Sequence, residues 1–166
     1  MGKKEISANR TFGFPANFKY EPLLYAQYLF MVIPIAILSV IYTFGGSDPL
    51  TKVLAQSTLT VQIVIAFSFP FCYLVLKSIR KKAEINKEEA KLPLLLLTAA
   101  QIINFNFICV FLLVSGLIME YGKSTLTLDR NILKSKGYWG DASGSVIILL
   151  FALLTLFIRY RLGMLN

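Results

Sequence analysis

Chemistry in a small protein needs side chains that move protons, hold metals or attack substrates, and this sequence supplies few of them. Its 166 residues contain no histidine, which removes bis-histidine haem, most catalytic zinc sites and the usual proton shuttle. The nine acidic residues all lie outside the apolar runs, so no carboxylate pair is placed for acid–base work at depth. Cys72 and Cys109 fall in separate apolar runs. Read as straight helices, those runs put the two thiols about 20 Å apart in depth, whereas a disulfide needs Cα atoms within about 7 Å. Both are expected to be buried small hydrophobes. No catalytic residue, cofactor or metal ligand set is expected, and the chain is not read as an enzyme.

The polar groups inside the apolar runs are neutral. Gln62 lies in the second run, and Gln101, Asn104 and Asn106 lie in the third. On a continuous helix Gln101 and Asn104 share a face, and Asn106 points elsewhere. Two roles fit such amides. They can hydrogen-bond neighbouring helices, at about 1 kcal/mol or less each, or they can offer partners to a foreign helix entering the bilayer. Ser115-Gly116 and Gly144-Ser145 are small pairs that let helices approach closely.

The elements that must carry these residues are apolar throughout. The chain is 56% hydrophobic and only 16% charged, with mean hydropathy +0.65. A soluble domain of this size cannot bury so much apolar surface, so lipid must solvate part of it. Four runs are long enough to span a bilayer, over about residues 25–44, 53–76, 92–119 and 142–160. The fold class expected is therefore all-α integral membrane, a four-transmembrane-helix bundle forming one domain over 1–166. The third run is overlong and should tilt or emerge. The fourth is the shortest. Pro34 and Pro70 fall inside spans and should kink them. Gly45-Gly46 closes the first helix, and Ser47-Asp48-Pro49 reads as a helix start, so the second helix should begin near Pro49. No small-residue cleavage site follows the first span, which is expected to remain as a helix.

Orientation follows from loop charge. The net charge of +8 is concentrated at the ends of the apolar runs, which suits anionic lipid headgroups and not nucleic acid. Lys3, Lys4, Arg10, Lys19, Lys77, Arg80, Lys81, Lys82, Lys87, Lys91, Arg159 and Arg161 fall on one side of a four-span chain, twelve in all. Lys52, Lys123, Arg130, Lys134 and Lys136 fall on the other. Positive residues stay inside, so segments 1–24, 77–91 and 161–166 are expected to be cytoplasmic, and 45–52 and 120–141 external. Among external residues flanking the spans, Asp48, Lys52, Asp129, Arg130 and Trp139 are charged or aromatic. They are the candidates for partner recognition.

Several short motifs carry a resemblance. They are Leu24-Tyr25-Ala26 with Ile33-Pro34, then Asp48-Pro49-Leu50-Thr51-Lys52 ahead of a span ending in Lys77 to Lys82, and Leu126-Thr127-Leu128. Over about residues 24–160 the chain resembles the immunity proteins that protect bacteria against pore-forming colicins of the A, B and N group. It departs from them in a longer, more charged third loop and in the tail Met1 to Phe18. The resemblance implies a plasmid-borne bacterial inner-membrane protein with four spans and both termini cytoplasmic. It also implies a membrane-inserting protein toxin as partner beside the lipids, bound by helix–helix contact without a cofactor. Three other classes fit the composition: a conjugation exclusion protein, a non-catalytic accessory subunit of a membrane complex, and a small transporter. Transporters commonly carry internal repeats, and halves 1–82 and 83–166 share no pattern beyond hydropathy.

Overall fold

The computed structural model describes residues 21–44, 57–122, 125 and 138–163. The described elements are helices: α1 (Pro22–Phe44), α2 (Ser57–Ile85), α3 (Lys87–Ile103), α4 (Phe107–Tyr121) and α5 (Tyr138–Arg161). Stretches Pro22–Thr43, Leu59–Ile85 and Ala142–Arg161 are long and apolar enough to cross a membrane. Helix is the form in which a segment satisfies its own backbone hydrogen bonds without water. The all-helical, membrane-type reading therefore stands. Helices α1 and α2 continue through Pro34 and Pro70, so neither proline ends its span. The start expected near Pro49 lies outside the described residues.

The expected third span over 92–119 is corrected: it is two helices. Helix α3 stops at Ile103 and α4 starts at Phe107. The stop is a complete C-terminal capping motif. The Phe105 N–H bonds Ile102 O at 3.0 Å, and the Asn106 N–H bonds Gln101 O at 3.0 Å. Phe105 takes φ 58°, a left-handed conformation usually given to glycine or asparagine. Asn106 then starts the next helix, its side chain accepting the Cys109 N–H at 3.4 Å. One short turn thus closes α3, reverses the chain and caps α4.

The reversal makes α3 and α4 an antiparallel hairpin whose far ends meet. Lys87 Nζ lies 2.8 Å from Glu120 Oε2, and the Tyr121 hydroxyl donates to Lys87 O at 2.7 Å. With 17 residues in α3, the turn lies about 25 Å from the start of the hairpin. Helix α1 begins at the same end as the hairpin, where Arg80 of α2 donates to Gln27 Oε1 at 2.8 Å and pairs with Glu21 at 3.5 Å. Helix α5 begins there too, with Tyr138 ring and Lys82 Nζ 6.0 Å apart. It ends at the turn, with the Arg159 guanidinium 5.3 Å from the Phe105 ring centroid. The first residue of α1 and the last residue of α5 therefore lie at opposite ends of the bundle. Helix α5 is also no short span: it begins at Tyr138 and runs 24 residues.

Helices α2 and α3 pack on each other and form the centre of the bundle. Helix α5 lies against both, α4 lies against α3 and α1, and α1 closes the circuit against α2. Phe30 and Phe69 join α1 to α2, with ring centroids 6.0 Å apart. Two expected small-residue contacts are present. A Cβ at Gly116 would collide with the Leu23 side chain, and one at Gly144 would stand 2.8 Å from Val75 Cγ2. Gly116→Val should therefore push α4 from α1 and lower unfolding stability in detergent by about 1–3 kcal/mol. Ile118→Val, on an exposed position of the same helix, should leave it within about 0.5 kcal/mol. Thermal unfolding of the purified variants checks both.

Candidate functional site

Three of the four intramembrane amides meet at the hairpin turn. Gln101 is fully buried on α3, and Asn104 is buried beside it. Gln101 Nε2 donates to Cys72 Sγ of α2 at 3.4 Å. Its Oε1 accepts from Asn106 Nδ2 at 3.0 Å. The expectation that Asn106 points away from Gln101 is corrected, because the helix ends before residue 106 and the turn swings that side chain back. Gln62 behaves differently: it is exposed on α2 and belongs to no such cluster.

The cysteine geometry is corrected for the same reason. Gln101 bonds Cys72, Asn106 bonds Gln101, and Asn106 accepts from Cys109 N–H. Folding the third run back therefore brings Cys109 to the level of Cys72. Both thiols are free and buried.

Asn104 faces α5. The Thr155 hydroxyl lies 3.1 Å from Asn104 Oδ1 and 2.8 Å from Ala152 O. It has one hydrogen and serves one of these acceptors at a time. Among the described residues, Asn104 Nδ2 and Ser145 Oγ are buried without a hydrogen-bond partner. One turn beyond Thr155, Arg159 retains 6% of its surface and stands over the Phe105 ring. Phe107 meets Phe105 edge-on, with centroids 6.3 Å apart. A cation–π contact contributes about 0.5–2 kcal/mol, which does not offset the burial of an unpaired guanidinium. Sequence reading missed Cys72, Thr155 and Arg159 as partners of this seam. The four-residue spacing of Thr155 and Arg159 was the signal that one face of α5 is polar.

The opposite end of the bundle is charged and paired. Lys91 is buried to 1% and donates to Glu88 at 2.7 Å while standing 5.1 Å from the Tyr121 ring. Lys82 pairs with Glu89 at 3.2 Å. These contacts join α2, α3 and α4, the Lys82–Tyr138 contact adds α5, and together they hold the open end of the hairpin shut.

Of the candidate recognition residues, Asp48, Lys52, Asp129 and Arg130 lie outside the described residues. Trp139 is in the first turn of α5. That turn is at the charged end, beside Lys82, and not at the end opposite it as expected. A shallow apolar cleft between α1 and α2, lined by Pro34, Ile37, Leu38, Ile63, Ala66 and Phe67, has room for about 10 Å³, roughly one water.

No family model, no characterised protein and no solved structure matches this chain.

The seam's hydrogen bonds link α2, α3, α4 and α5 and orient them on one another. Gln101→Leu should strand Asn106 Nδ2 and cost about 1 kcal/mol. Gln62→Leu, on the exposed side of α2, should change stability by less than about 0.5 kcal/mol. A double-mutant cycle over Gln101 and Asn106, read by unfolding in detergent, should return a coupling of about 1 kcal/mol.

Proposed function

We propose that this chain is a non-catalytic inner-membrane immunity protein that recognises a pore-forming bacteriocin through helix–helix contact within the bilayer. The observation that carries the reading is the division between inside and outside. The polar side chains of the bundle are tied to one another around Gln101 and Asn104. The outward faces of α1, α4 and α5 present Val32, Ile35, Phe107, Phe111, Ile147 and Phe157. A bundle that gathers Gln101, Asn104 and Asn106 at one interior seam and offers apolar ridges outward suits contact with other membrane helices. The motif resemblance supports the same class of partner. The hairpin is a departure from the four spans that the resemblance implies.

Orientation enters the same proposal in a changed form. In the sequence, Lys3, Lys4, Arg10 and Lys19 precede α1, six basic residues fall in 77–91, and Lys123, Arg130, Lys134 and Lys136 lie between α4 and α5. That is fourteen of the seventeen Lys and Arg residues. Lys52 falls between α1 and α2, and Arg159 and Arg161 are in the last turn of α5. This charge bias is stronger than that of a four-span chain and makes the hairpin's open end cytoplasmic. The proposed topology is three crossings by α1, α2 and α5, a hairpin entering from the cytoplasm, a cytoplasmic N-terminus and an external C-terminus.

Two measurements test the proposal. A C-terminal alkaline phosphatase fusion should be active and a C-terminal green fluorescent protein fusion dark, and the reverse pair rejects the topology. Sensitive cells expressing the chain should survive the pore-forming bacteriocin encoded beside it. Unchanged killing, with the protein verified in the membrane, rejects the immunity reading.

A further inference from the structure

Among the described residues, Arg159 is a buried cation at the turn end without an anion beside it. Arg159 lies in the last turn of the apolar stretch Ala142–Arg161, more than nine-tenths buried. Among the described residues it has neither a carboxylate nor a hydrogen-bond acceptor; its contact is the Phe105 ring. The next basic residue, Arg161, is exposed and free to reach water. A guanidinium held out of water without a counter-ion is unfavourable, and its planar fork of donors matches a phosphate oxygen pair.

The surroundings say which phosphate. Ile102, Phe105, Phe107 and Ile108 are all at least half exposed around the turn, so the surface beside the Arg159–Phe105 contact is apolar. Free phosphate gains nothing from such a rim, whereas a phospholipid can set its phosphodiester on the guanidinium and its acyl chains along the aromatic and isoleucine side chains. Asn104 Nδ2, a buried donor without a partner among the described residues, lies on the same turn.

We propose that Arg159 and the Phe105–Phe107 turn form a seat for one phospholipid, held by its phosphodiester group. The seat requires no particular headgroup and is independent of what the bundle recognises. It also accounts for the left-handed Phe105. Glycine would suit that conformation better, but a glycine there could not put a ring under the guanidinium.

The test uses the full-length protein, delipidated in detergent and titrated with dioleoyl phosphatidylglycerol, dioleoyl phosphatidylcholine, dioleoylglycerol or inorganic phosphate, with bound mass read by native mass spectrometry. One molecule of either phospholipid per chain is expected, with no dioleoylglycerol retained and no displacement of lipid by millimolar phosphate. Arg159→Gln should weaken retention roughly tenfold, as expected for loss of a bidentate charged contact. Arg161→Gln should leave it unchanged. Because Arg159→Gln also alters packing, Phe105→Ala and Arg159→Lys are measured beside it. The first removes the platform, and the second keeps the charge without the planar fork; both should bind more weakly than the parent. Equal retention by Arg159→Gln, Phe105→Ala and Arg159→Lys overturns the proposal. So does equal loss on Arg161→Gln, equal binding of dioleoylglycerol, or displacement by inorganic phosphate.

Discussion

Lipid offers no hydrogen bonds, so a chain that reverses direction inside it must satisfy the reversal from its own atoms. The rest of this structure depends on how the three residues Asn104, Phe105 and Asn106 do so. The N–H groups of Phe105 and Asn106 return to α3, and the Asn106 side chain caps α4 and bonds Gln101. Gln101 in turn reaches α2 through Cys72, and Asn104 meets Thr155 of α5. A turn two asparagines wide is thereby connected to every helix of the bundle except α1. Closing it fixes the hairpin, and the hairpin sets the end at which α5 begins.

The charged end complements the turn. Exposed ion pairs such as Lys87–Glu120 contribute little singly, and their value here is positional. They bring together residues 33 apart in sequence, and the Tyr121 hydroxyl closes the same join on Lys87 O. Lys91 can be buried because Glu88 and the Tyr121 ring stand against it. One end of the hairpin is thus fastened by charge and the other by neutral amides.

Much of this was legible in the sequence. The apolar runs identified α1, α2 and α5, and the small pairs Ser115-Gly116 and Gly144-Ser145 marked close helix contacts. Of the four amides singled out, Gln101, Asn104 and Asn106 meet at the turn, whereas Gln62 is exposed on α2. Their geometry was not legible, because hydropathy carries no sign for a reversal within an apolar run. The left-handed position holds Phe105, a residue that reads as membrane helix, where glycine would have marked a stop. Two asparagines flanking it, within a run too long for one upright helix, were the available signals. Once the break was missed, the depth of Cys109, the direction of Asn106 and the side of the bundle holding Tyr138 all followed wrongly. The recognition residues proposed from charge lie mainly outside the described segments, so the seam and Arg159 had to be found from contacts.

The Thr155–Asn104 contact has a consequence for biogenesis. The helix that covers Asn104 follows the hairpin in the chain and leaves the ribosome after it. A nascent chain that has inserted α1 to α4 already holds the loop from Cys72 through Gln101 to Asn106, but Asn104 then faces bare acyl chains where α5 will later dock. The hairpin is therefore a half-finished intermediate with an uncovered amide. Such a site gives membrane chaperones and proteases a way to tell a hairpin covered by α5 from one that is not.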